Sequence, residues 1–572
     1  MRSRFIKRVL CTAVCTGLLL LSGCGVYVPA ENAAVSEDPV GEPDIVPEDH
    51  FGTTYEIFVY SFADSDGDGI GDLNGISDKL DYLNDGNVYS RDDLGVNSIW
   101  LTPVFPSPTY HKYDAVDYYS IDPAFGTIED MDALIAGCHE RDVKLYMDLA
   151  VNHTSDSHPW FAQAADYLRE LPEGDEPDHE ACPTFDYYNF TKEAKTGYEP
   201  LRDKTGKKET GWYYEARFWS GMPDLNLDSA LVRAEIASVM KFWIERGIDG
   251  FRLDAVTSYY TEDHARSAEF LGWLSETARG MKEDVYLVGE AWENQDAYAT
   301  LYETGVDSFF DFAFAGQEGV IAQTVRKGKG GLKFATRMAE EETLYASYAP
   351  PVSDGVINAP FYTNHDMARS AGYYAKDPVN RIKLAQLLNL MQTGNAFVYY
   401  GEELGMRGSG KDENKRAPFP WTAQEQAPIY GKAGGYLCRG PADMEEFDSA
   451  PYGSLEEQSA DELSIWNYCR QAIHLRARHP LIARGRTVPS EALSADSICA
   501  FYRCEGEVPA TDDLLIVINL GKESTGVDLG QEDYFPGRTD IELTDFLTVD
   551  GSDVTLEGFT LTLPGYAAAV LK

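Results

Sequence analysis

The chain has 572 residues with 48 basic and 94 acidic side chains, which give a net charge of -46, and 44% of its residues are hydrophobic. This length predicts two or three domains with a large buried core, and the composition is typical of a globular protein rather than a disordered one. The acidic excess argues against nucleic acid or an anionic membrane surface as a partner.

The first 23 residues have the pattern of a secretory signal. Basic residues among the first eight positions precede an apolar run from 9 to 21, which is too short for a comfortable membrane span. The run ends in Leu21-Ser-Gly-Cys24, which resembles the bacterial lipobox. We therefore predict a signal peptide at 1–23 and a lipidated Cys24 that holds an extracytoplasmic protein at a bacterial membrane; plain secretion is the alternative.

A tether is predicted at 24–50, because this stretch is rich in Pro, Ala, Glu and Asp and poor in large apolar groups, a composition that cannot bury enough surface to fold. Six cysteines follow Cys24, without the CxxC spacing of metal sites. Cys499 and Cys504 would face opposite sides of one strand, and no disulfide is predicted.

Strand and helix patterns alternate from Thr54 onward. The predicted strands are 55–62, 98–102, 144–149, 250–254, 285–290, 308–312, 359–363 and 396–400. Helical spacing predicts helices from Ser229 to Arg246, with Gly247 as its stop, and from Asp377-Pro378 to Met391. Eight strands with helices between them predict an α/β fold, a parallel (β/α)₈ barrel at 51–151 and 225–485.

Acidic residues and histidines follow several of these strands. In such barrels the chemistry lies at the carboxyl ends of the strands. Asp254, Glu290 and Asp366 each end a different strand, Arg252 and His365 stand close to them in sequence, and His153 follows a further strand. We therefore expect the three acids to converge on one pocket.

Four motifs carry a specific resemblance: Asp148-Leu-Ala-Val-Asn-His153, Gly250-Phe-Arg-Leu-Asp254, Gly289-Glu290 and Asn364-His-Asp366. In order and spacing they resemble the signature regions of the α-amylase family, glycoside hydrolase family 13, and the similarity extends from about Thr54 to the C-terminus. The resemblance implies an α-glucan substrate such as starch or maltodextrin. It also implies that Asp254 is the nucleophile, Glu290 the general acid/base and Asp366 a stabiliser of the transition state. The implied substrate-binding residues are Tyr113, Asp114, His153, Arg252, His365 and Arg369.

The chemistry fits these residue types. Glycoside cleavage passes through an oxocarbenium-like state, so one carboxylate attacks while a protonated carboxyl serves the leaving oxygen. Arg252, two residues before Asp254 on a strand, keeps that carboxylate ionised, and Glu290 gains a raised pKa if it is desolvated among acidic neighbours. The family roles imply retention of configuration, with carboxyls roughly 5 to 5.5 Å apart.

A calcium site is predicted in the loop after the first strand. Oxygen donors alternate with glycines in Asp64-Ser-Asp-Gly-Asp-Gly-Ile-Gly-Asp72, which suits Ca²⁺. It is not an EF-hand, because its twelfth position is Gly75 rather than Glu. The predicted ligands, as in oligo-1,6-glucosidase-like relatives, are Asp64, Asp66, Asp68, the Ile70 carbonyl and Asp72.

Further family features lie between and after the strands. Tyr110-His-Lys-Tyr-Asp114 resembles the loop that stacks an aromatic ring on the sugar, with Lys112 where many members have glycine. The region 152–224 is too long for a simple loop and predicts a small inserted domain. Met222-Pro-Asp-Leu-Asn226 resembles members intermediate between oligo-1,6-glucosidases and neopullulanases. Short alternating runs after Pro489 predict a C-terminal antiparallel β domain, a β-sandwich, at 486–572.

The sequence leaves the substrate preference open. Thr257-Ser258 replaces the Lys-His pair of classical α-amylases, and Ala255 differs from the valine of α-1,6-specific relatives. An endo-acting α-amylase specific for α-1,4 bonds is the first interpretation, and a monomer is expected. Neopullulanase or oligo-1,6-glucosidase specificity and 4-α-glucanotransferase activity are the alternatives. A catalytically dead glucan-binding protein is the non-enzymatic alternative, and it predicts the loss of a catalytic acid.

Overall fold

The computed structural model describes residues 42–261, 263–349, 356–423, 437–506, 509–510, 513–532 and 541–572. The predicted signal peptide, Cys24 and most of the predicted tether lie outside the described residues. Among the described residues, no helix combines the length and apolar character needed to cross a bilayer.

The strands, in chain order, are β1 (Thr53–Ile57), β2 (Ser98–Leu101), β3 (Lys144–Leu149), β4 (Phe190–Thr191), β5 (Tyr198–Arg202), β6 (Glu209–Glu215), β7 (Gly250–Leu253), β8 (Tyr286–Gly289), β9 (Ser308–Phe309), β10 (Ala396–Tyr399), β11 (Arg486–Pro489), β12 (Ile498–Cys504), β13 (Leu514–Asn519), β14 (Thr525–Asp528), β15 (Leu543–Leu547), β16 (Thr555–Glu557), β17 (Thr560–Leu563) and β18 (Ala568–Leu571).

The α-helices are α1 (Leu73–Ser77), α2 (Leu80–Leu83), α3 (Ile128–His139), α4 (Pro159–Glu170), α5 (Ala230–Arg246), α6 (His264–Arg279), α7 (Gln295–Ala299), α8 (Val320–Lys327), α9 (Gly331–Ala346), α10 (Pro378–Leu390), α11 (Asp412–Lys415), α12 (Leu455–Ser459), α13 (Ile465–Arg478) and α14 (Leu481–Arg484).

The predicted parallel barrel is confirmed. Seven strands form one parallel sheet in the order β10-β1-β2-β3-β7-β8-β9. Parallel bridges from Phe310 to Ala359 and from Phe361 to Phe397 join its two edges and close the ring. The predicted strand 359–363 is reduced to these bridges, because Pro360 has no backbone N–H to donate to a ladder.

The inward face of the barrel is set by register. Trp100 pairs with Tyr146, Asp148 pairs with Arg252, and Arg252 pairs with Val288, so these side chains share one face. At the amino ends of the strands, the His50 ring stacks on Tyr286 at 4.8 Å. This segment therefore covers the end of the barrel opposite the strand ends that carry the acids.

Two further units flank the barrel. The insertion after β3 contains α4 and a small antiparallel sheet in the order β4-β6-β5. At the C-terminus, the order β11-β12-β13-β18-β15 and the order β14-β17-β16 describe two antiparallel sheets that pack around a shared apolar cluster. The predicted β-sandwich is thus confirmed.

The two helices predicted by spacing are present as α5 and α10. Gly247 caps the carboxyl end of α5, and its φ of 112° is a conformation that glycine adopts without strain. α10 begins with Pro378 as predicted, but Asp377 is not a side-chain N-cap: its φ is 49° and its carboxylate makes no capping bond. Asp377 before a proline is a favourable cap in sequence, and that expectation was wrong, because its carboxylate accepts a hydrogen bond from the side-chain amide of Asn380 at 3.0 Å instead of from a backbone N–H.

The cysteines of the described residues are all free and buried: Cys138, Cys182, Cys438, Cys469, Cys499 and Cys504. Cys499 and Cys504 lie on the single strand β12, five positions apart.

Candidate active site

Arg252 is the centre of the candidate site. Its Nη1 donates to Oδ1 of Asp254 at 2.7 Å and to Oδ1 of Asp148 at 2.9 Å, and its Nη2 lies 3.0 Å from Oε2 of Glu290. The guanidinium is fully buried. One positive charge therefore holds three acids, Asp148, Asp254 and Glu290, at the carboxyl ends of the neighbouring strands β3, β7 and β8.

Glu290 is a buried acid with a raised pKa. Burial raises the pKa of Glu290 to about 7, and although Arg252 opposes this, the nearby charges of Asp254 and Asp366 add to it. The backbone N–H of Ala255 donates to Oε2 of Glu290 at 3.1 Å. Ala255 has a φ of 46°, an uncommon backbone conformation for a residue with a side chain. The carboxyl is thus held in place and available as a proton donor.

Asp366 belongs to a chain of ion pairs. This chain includes residues that were not predicted as site residues. His365 contacts Oδ2 of Asp366 through Nε2 at 3.1 Å and Oε1 of Glu56 through Nδ1 at 2.6 Å. Burial opposes the imidazolium, but the Asp366 and Glu56 carboxylates raise the pKa of His365 to about 10. Arg416 Nη2 donates to Oδ1 of Asp366 at 2.7 Å. Burial likewise opposes the charge of Asp366, yet His365 and Arg416 hold its pKa below the ordinary value.

Sequence reasoning did not single out Glu56, Asp148 or Arg416 as site residues. Asp148 begins one of the quoted motifs, and its inward register with Arg252 is the signal that could have found it. Glu56 lies on β1 and Arg416 follows α11, far from the motifs in sequence. Only the closed ring of strands brings them to the same pocket.

Tyr113 is held beside the acids by hydrogen bonds of its hydroxyl. Its hydroxyl donates to Oδ2 of Asp148 at 2.9 Å and lies 2.7 Å from Nε2 of His365. The two rings are nearly parallel, with centroids 5.5 Å apart. The structure therefore brings Tyr113 into the pocket with His365.

Several polar atoms of this pocket are buried without a hydrogen-bond partner among the described residues, and Nε2 of His153 and Oδ2 of Asp114 are two of them. Burial lowers the pKa of His153 although Asp254 opposes this, and this shift favours the neutral ring. Unpaired buried polar groups are costly unless a ligand or water completes them. Both atoms are suited to bind sugar hydroxyls.

The loop around Lys112 explains a departure from the family pattern. Lys112 has a φ of 66°, in the region that glycine occupies without strain. Its Nζ donates to Asp122 at 2.7 Å, an ion pair that is mostly buried. Asp114 accepts a hydrogen bond from Ser107 at 2.6 Å. The lysine therefore occupies a backbone region that favours glycine, and its ion pair with Asp122 holds the loop that carries Tyr113.

Arg369 lies apart from the three acids. Its Nε donates to the carbonyl of Lys415 at 2.8 Å and its Nη1 to the carbonyl of Tyr400 at 2.7 Å. The guanidinium also lies over the rings of Tyr399 and Tyr400. These contacts support the backbone beside the pocket, and a direct contact with substrate stays a prediction.

The predicted calcium loop brings three of its carboxylates together. Asp64, Asp66 and Asp72 each offer an oxygen, and these oxygens lie within 4.8 Å of one another. This close set of oxygen donors fits a hard cation. Asp68 is not part of this set of three, and the roles of Asp68 and the Ile70 carbonyl as ligands stay predictions.

Comparison with known proteins gives a consistent result. The family model described as alpha amylase, catalytic domain, matches residues 56–485. Alpha-amylase 3 of Dictyoglomus thermophilum is 35% identical over 82% of this chain and 84% of its own length. The glucan 1,6-alpha-glucosidase of Streptococcus dysgalactiae is 34% identical over 62% of this chain and 65% of its own. The solved structure of Eubacterium rectale Amy13B has a TM-score of 0.84 and 41% identity, and the match covers 93% of this chain and 97% of that one.

Proposed function

The chain belongs to the alpha-amylase family of glycosidases, whose catalytic-domain model matches most of its length, and on that premise we propose that it hydrolyses α-1,4-glucosidic bonds of maltodextrins with retention of configuration. The observation that carries the proposal is the Arg252 guanidinium, which lies at 2.7 Å from Asp254 and 3.0 Å from Glu290. Two carboxyls beside a shared cation are the pair that the reaction needs.

In the first step, Asp254 attacks the anomeric carbon and forms a glycosyl ester, while Glu290 gives its proton to the departing oxygen. In the second step, ionised Glu290 takes a proton from water, the water oxygen attacks the anomeric carbon, and the ester bond to Asp254 breaks. Asp366, kept ionised by His365 and Arg416, binds sugar hydroxyls and stabilises the positive charge of the transition state.

A product profile tests this proposal. Purified protein is incubated with maltotriose, starch, pullulan and panose, with Asp254→Asn as the inactive control. We expect glucose and maltose from maltotriose with α-anomers formed first, as read by NMR. Formation of β-anomers first would overturn the retaining mechanism, and no product from any substrate would overturn the hydrolase assignment.

The nucleophile has its own test. In Asp254→Ala, azide can occupy the space of the missing carboxylate and attack α-glucosyl fluoride, which forms β-glucosyl azide and releases fluoride. In Glu290→Ala, azide instead attacks the glycosyl ester and gives the α-azide. Exchange of these two products would reverse the roles of the acids.

Two other specificities remain candidates. The similarity to a glucan 1,6-alpha-glucosidase favours α-1,6 cleavage, which panose hydrolysis to maltose and glucose would reveal. Transfer to sugar rather than to water is the second, and oligosaccharides longer than the maltotriose supplied would favour it.

We also propose that Asp64, Asp66 and Asp72 hold Ca²⁺, with Asp68 and the Ile70 carbonyl as further ligands. Bound Ca²⁺ supplies charge neutralisation for the loop between β1 and α1. No catalytic role is assigned to it, because the chemistry belongs to the three acids at the barrel mouth.

The cellular position is proposed from the sequence alone. Lipidation at Cys24 fits the Leu21-Ser-Gly-Cys24 motif. Metabolic labelling with an alkyne fatty acid should mark the native chain and leave Cys24→Ser unmarked. Labelling of the variant would contradict the proposed anchor.

A further inference from the structure

We propose that Glu56 is a positioning residue of the reaction, because it keeps the His365 ring doubly protonated and so makes His365 a lasting cation and hydrogen-bond donor beside Asp366. This inference rests on the proposed glycosidase function. Glu56 contacts the ring nitrogen opposite the one that faces Asp366, so it acts through His365 rather than on the substrate.

The contacts of the His365 ring call for a proton on each nitrogen. Nδ1 lies 2.6 Å from Oε1 of Glu56, and Nε2 lies 3.1 Å from Oδ2 of Asp366. An ionised carboxylate only accepts hydrogen bonds, and a neutral imidazole has a single N–H, so the two acids are satisfied together only by the imidazolium. The backbone N–H of His365 also donates to Oε1 of Glu56 at 3.3 Å. Two donors on one oxygen favour the ionised form of Glu56.

Glu56 and His365 depend on each other for their charges. Both side chains are fully buried. In the described part of the chain, His365 is the one basic side chain within ion-pair distance of Glu56. A buried charge is costly unless it is paired and hydrogen-bonded. The carboxylate of Glu56 therefore needs the imidazolium, and the imidazolium gains a second counter-charge besides Asp366.

A donor at Nε2 also fixes the direction of the next hydrogen bonds across the pocket. Nε2 of His365 lies 2.7 Å from the hydroxyl oxygen of Tyr113, and that hydroxyl donates to Oδ2 of Asp148 at 2.9 Å. Asp148 in turn accepts from Nη1 of Arg252 at 2.9 Å. While the ring is charged, Tyr113 accepts from His365 and keeps its own proton for Asp148. The effect of Glu56 thus reaches the guanidinium that holds the candidate nucleophile.

The electrostatics of the pocket agree with this assignment. Burial opposes the charge of the ring, but the carboxylates of Asp366 and Glu56 raise the pKa of His365 to about 10. Burial also raises the pKa of Glu56, and His365 opposes this. The other titratable groups that act on these two side chains are Tyr113 after β2, Asp148 on β3, Arg252 on β7, Glu290 after β8, Tyr399 on β10 and Arg416 after α11. The ring is thus a cation throughout the range in which Glu290 titrates.

The titration of the ring tests the proposal without any substrate. The chain has ten histidines, so labelling of their Cε1 atoms gives few NMR signals, and the signal lost in His365→Gln identifies His365. In the wild-type protein this signal should stay that of an imidazolium until about pH 10. In Glu56→Gln the ring should lose its charge at a pH lower by about one unit or more, because one of its two counter-charges is gone. Glu56→Asp, which keeps a carboxylate, should retain most of the raised pKa.

The rate shows what the charge does for the reaction. α-Glucosyl fluoride is the substrate, because fluoride departs with little help from Glu290, and its kcat/KM reports the steps up to fluoride loss. We expect this kcat/KM to stay level in the wild type up to about pH 9. In Glu56→Gln it should fall roughly ten-fold over the pH range in which the ring loses its proton. A merely structural role of Glu56 would instead lower the rate equally at every pH.

Glu403→Gln is the matched control. Glu403 is also fully buried, and its Oε1 accepts hydrogen bonds from the hydroxyls of Tyr55 at 2.7 Å and Tyr82 at 2.8 Å. The same substitution at this site should leave the titration of His365 and the pH dependence of α-glucosyl fluoride hydrolysis as in the wild type.

A neutral His365 ring at pH 7 in the wild type would overturn the proposal, and so would an unchanged titration in Glu56→Gln. A rate that falls in Glu56→Gln without following the titration of the ring would reduce Glu56 to a structural residue. Failure of the wild-type protein on both α-glucosyl fluoride and maltotriose would instead overturn the proposed hydrolase function, and the titration would still decide the protonation of His365.

Discussion

The backbone N–H of Ala255 donates to Oε2 of Glu290 at 3.1 Å, so the residue after the candidate nucleophile fixes the candidate acid. Ala255 does this with a φ of 46°, a region that β-branched residues avoid. The geometry of the two candidate catalytic carboxyls is therefore coupled through one backbone position.

Substitution of Ala255 should change the bond preference. In Ala255→Val, strain of about 1–2 kcal/mol displaces the N–H from Glu290, and we expect kcat/KM to fall more for maltotriose than for panose. Ala255→Gly, which accepts the same φ, is the control and should keep the wild-type ratio. An unchanged ratio in the valine variant would remove position 255 from the specificity determinants.

Glu290 should give the rate a basic limb. Because burial raises the pKa of Glu290 to about 7, the protonated form required for the first step is lost as pH rises through that value. Maltotriose hydrolysis should therefore decline above about pH 7. Glu290→Gln should lose on the order of 10²–10⁴-fold in kcat with maltotriose but much less in glycosyl-ester formation from α-glucosyl fluoride, measured as a fluoride burst. A basic limb retained in Glu290→Gln would assign it to another group.

The same carboxyl should make folding stability depend on pH. Its folded pKa lies above its ordinary value of 4.5, so the folded state binds more protons between about pH 4.5 and 7, and stability falls as pH rises through this window. The loss attributable to Glu290 is on the order of 3 kcal/mol. Urea unfolding at several pH values should show a flatter dependence for Glu290→Gln, and parallel curves would argue against a buried, raised acid.

Arg416 should act through Asp366. Its Nη2 donates to Oδ1 of Asp366 at 2.7 Å, and its removal should raise the pKa of that acid and move the acidic limb of the rate to higher pH. We expect Arg416→Met to lower kcat/KM for maltotriose roughly 10–100-fold, with partial recovery in Arg416→Lys. In an Asp366→Asn background, Arg416→Met should add little; a fully additive loss would separate the two residues.

Calcium should raise the thermal midpoint. Saturating Ca²⁺ stabilises the folded state by mass action, and chelation should lower Tm by several degrees, as measured by calorimetry. Asp66→Asn should abolish the shift, since Asp66 offers one of the three clustered oxygens. Asp203→Asn, in an exposed loop of the insertion, is the control that should keep it. A full Ca²⁺ response in Asp66→Asn would place the ion elsewhere.

Hydrophobic periodicity and the residues that end helices and strands predicted most of the barrel. β3 occupies the predicted residues 144–149, and α5 stops at Gly247 as expected, because local pattern and burial agree there. The strand predicted from Ala359 shortened to bridges, since Pro360 cannot donate to a ladder. Backbone hydrogen bonding, which a hydrophobic pattern does not encode, decided that difference.

The residues of the candidate site were likewise only partly predictable from the sequence. The acids that end strands were predictable, because parallel strands bring their carboxyl ends to one edge. Arg416, which follows α11, reaches Asp366 only through a loop, and no local pattern points to it. Lys112 shows a second limit of prediction from sequence. Its left-handed φ is stabilised by Asp122, a partner ten positions away.

The reactivity of the free cysteines can report local unfolding. Burial raises the pKa of Cys138 and of Cys499 to about 12, so neither thiol reacts while its surroundings stay closed. Cys138 lies on α3 of the barrel, Cys182 in the insertion and Cys499 in the C-terminal sheets. A maleimide probe followed by peptide mapping should therefore record the order in which the three units open on heating, without any engineered label.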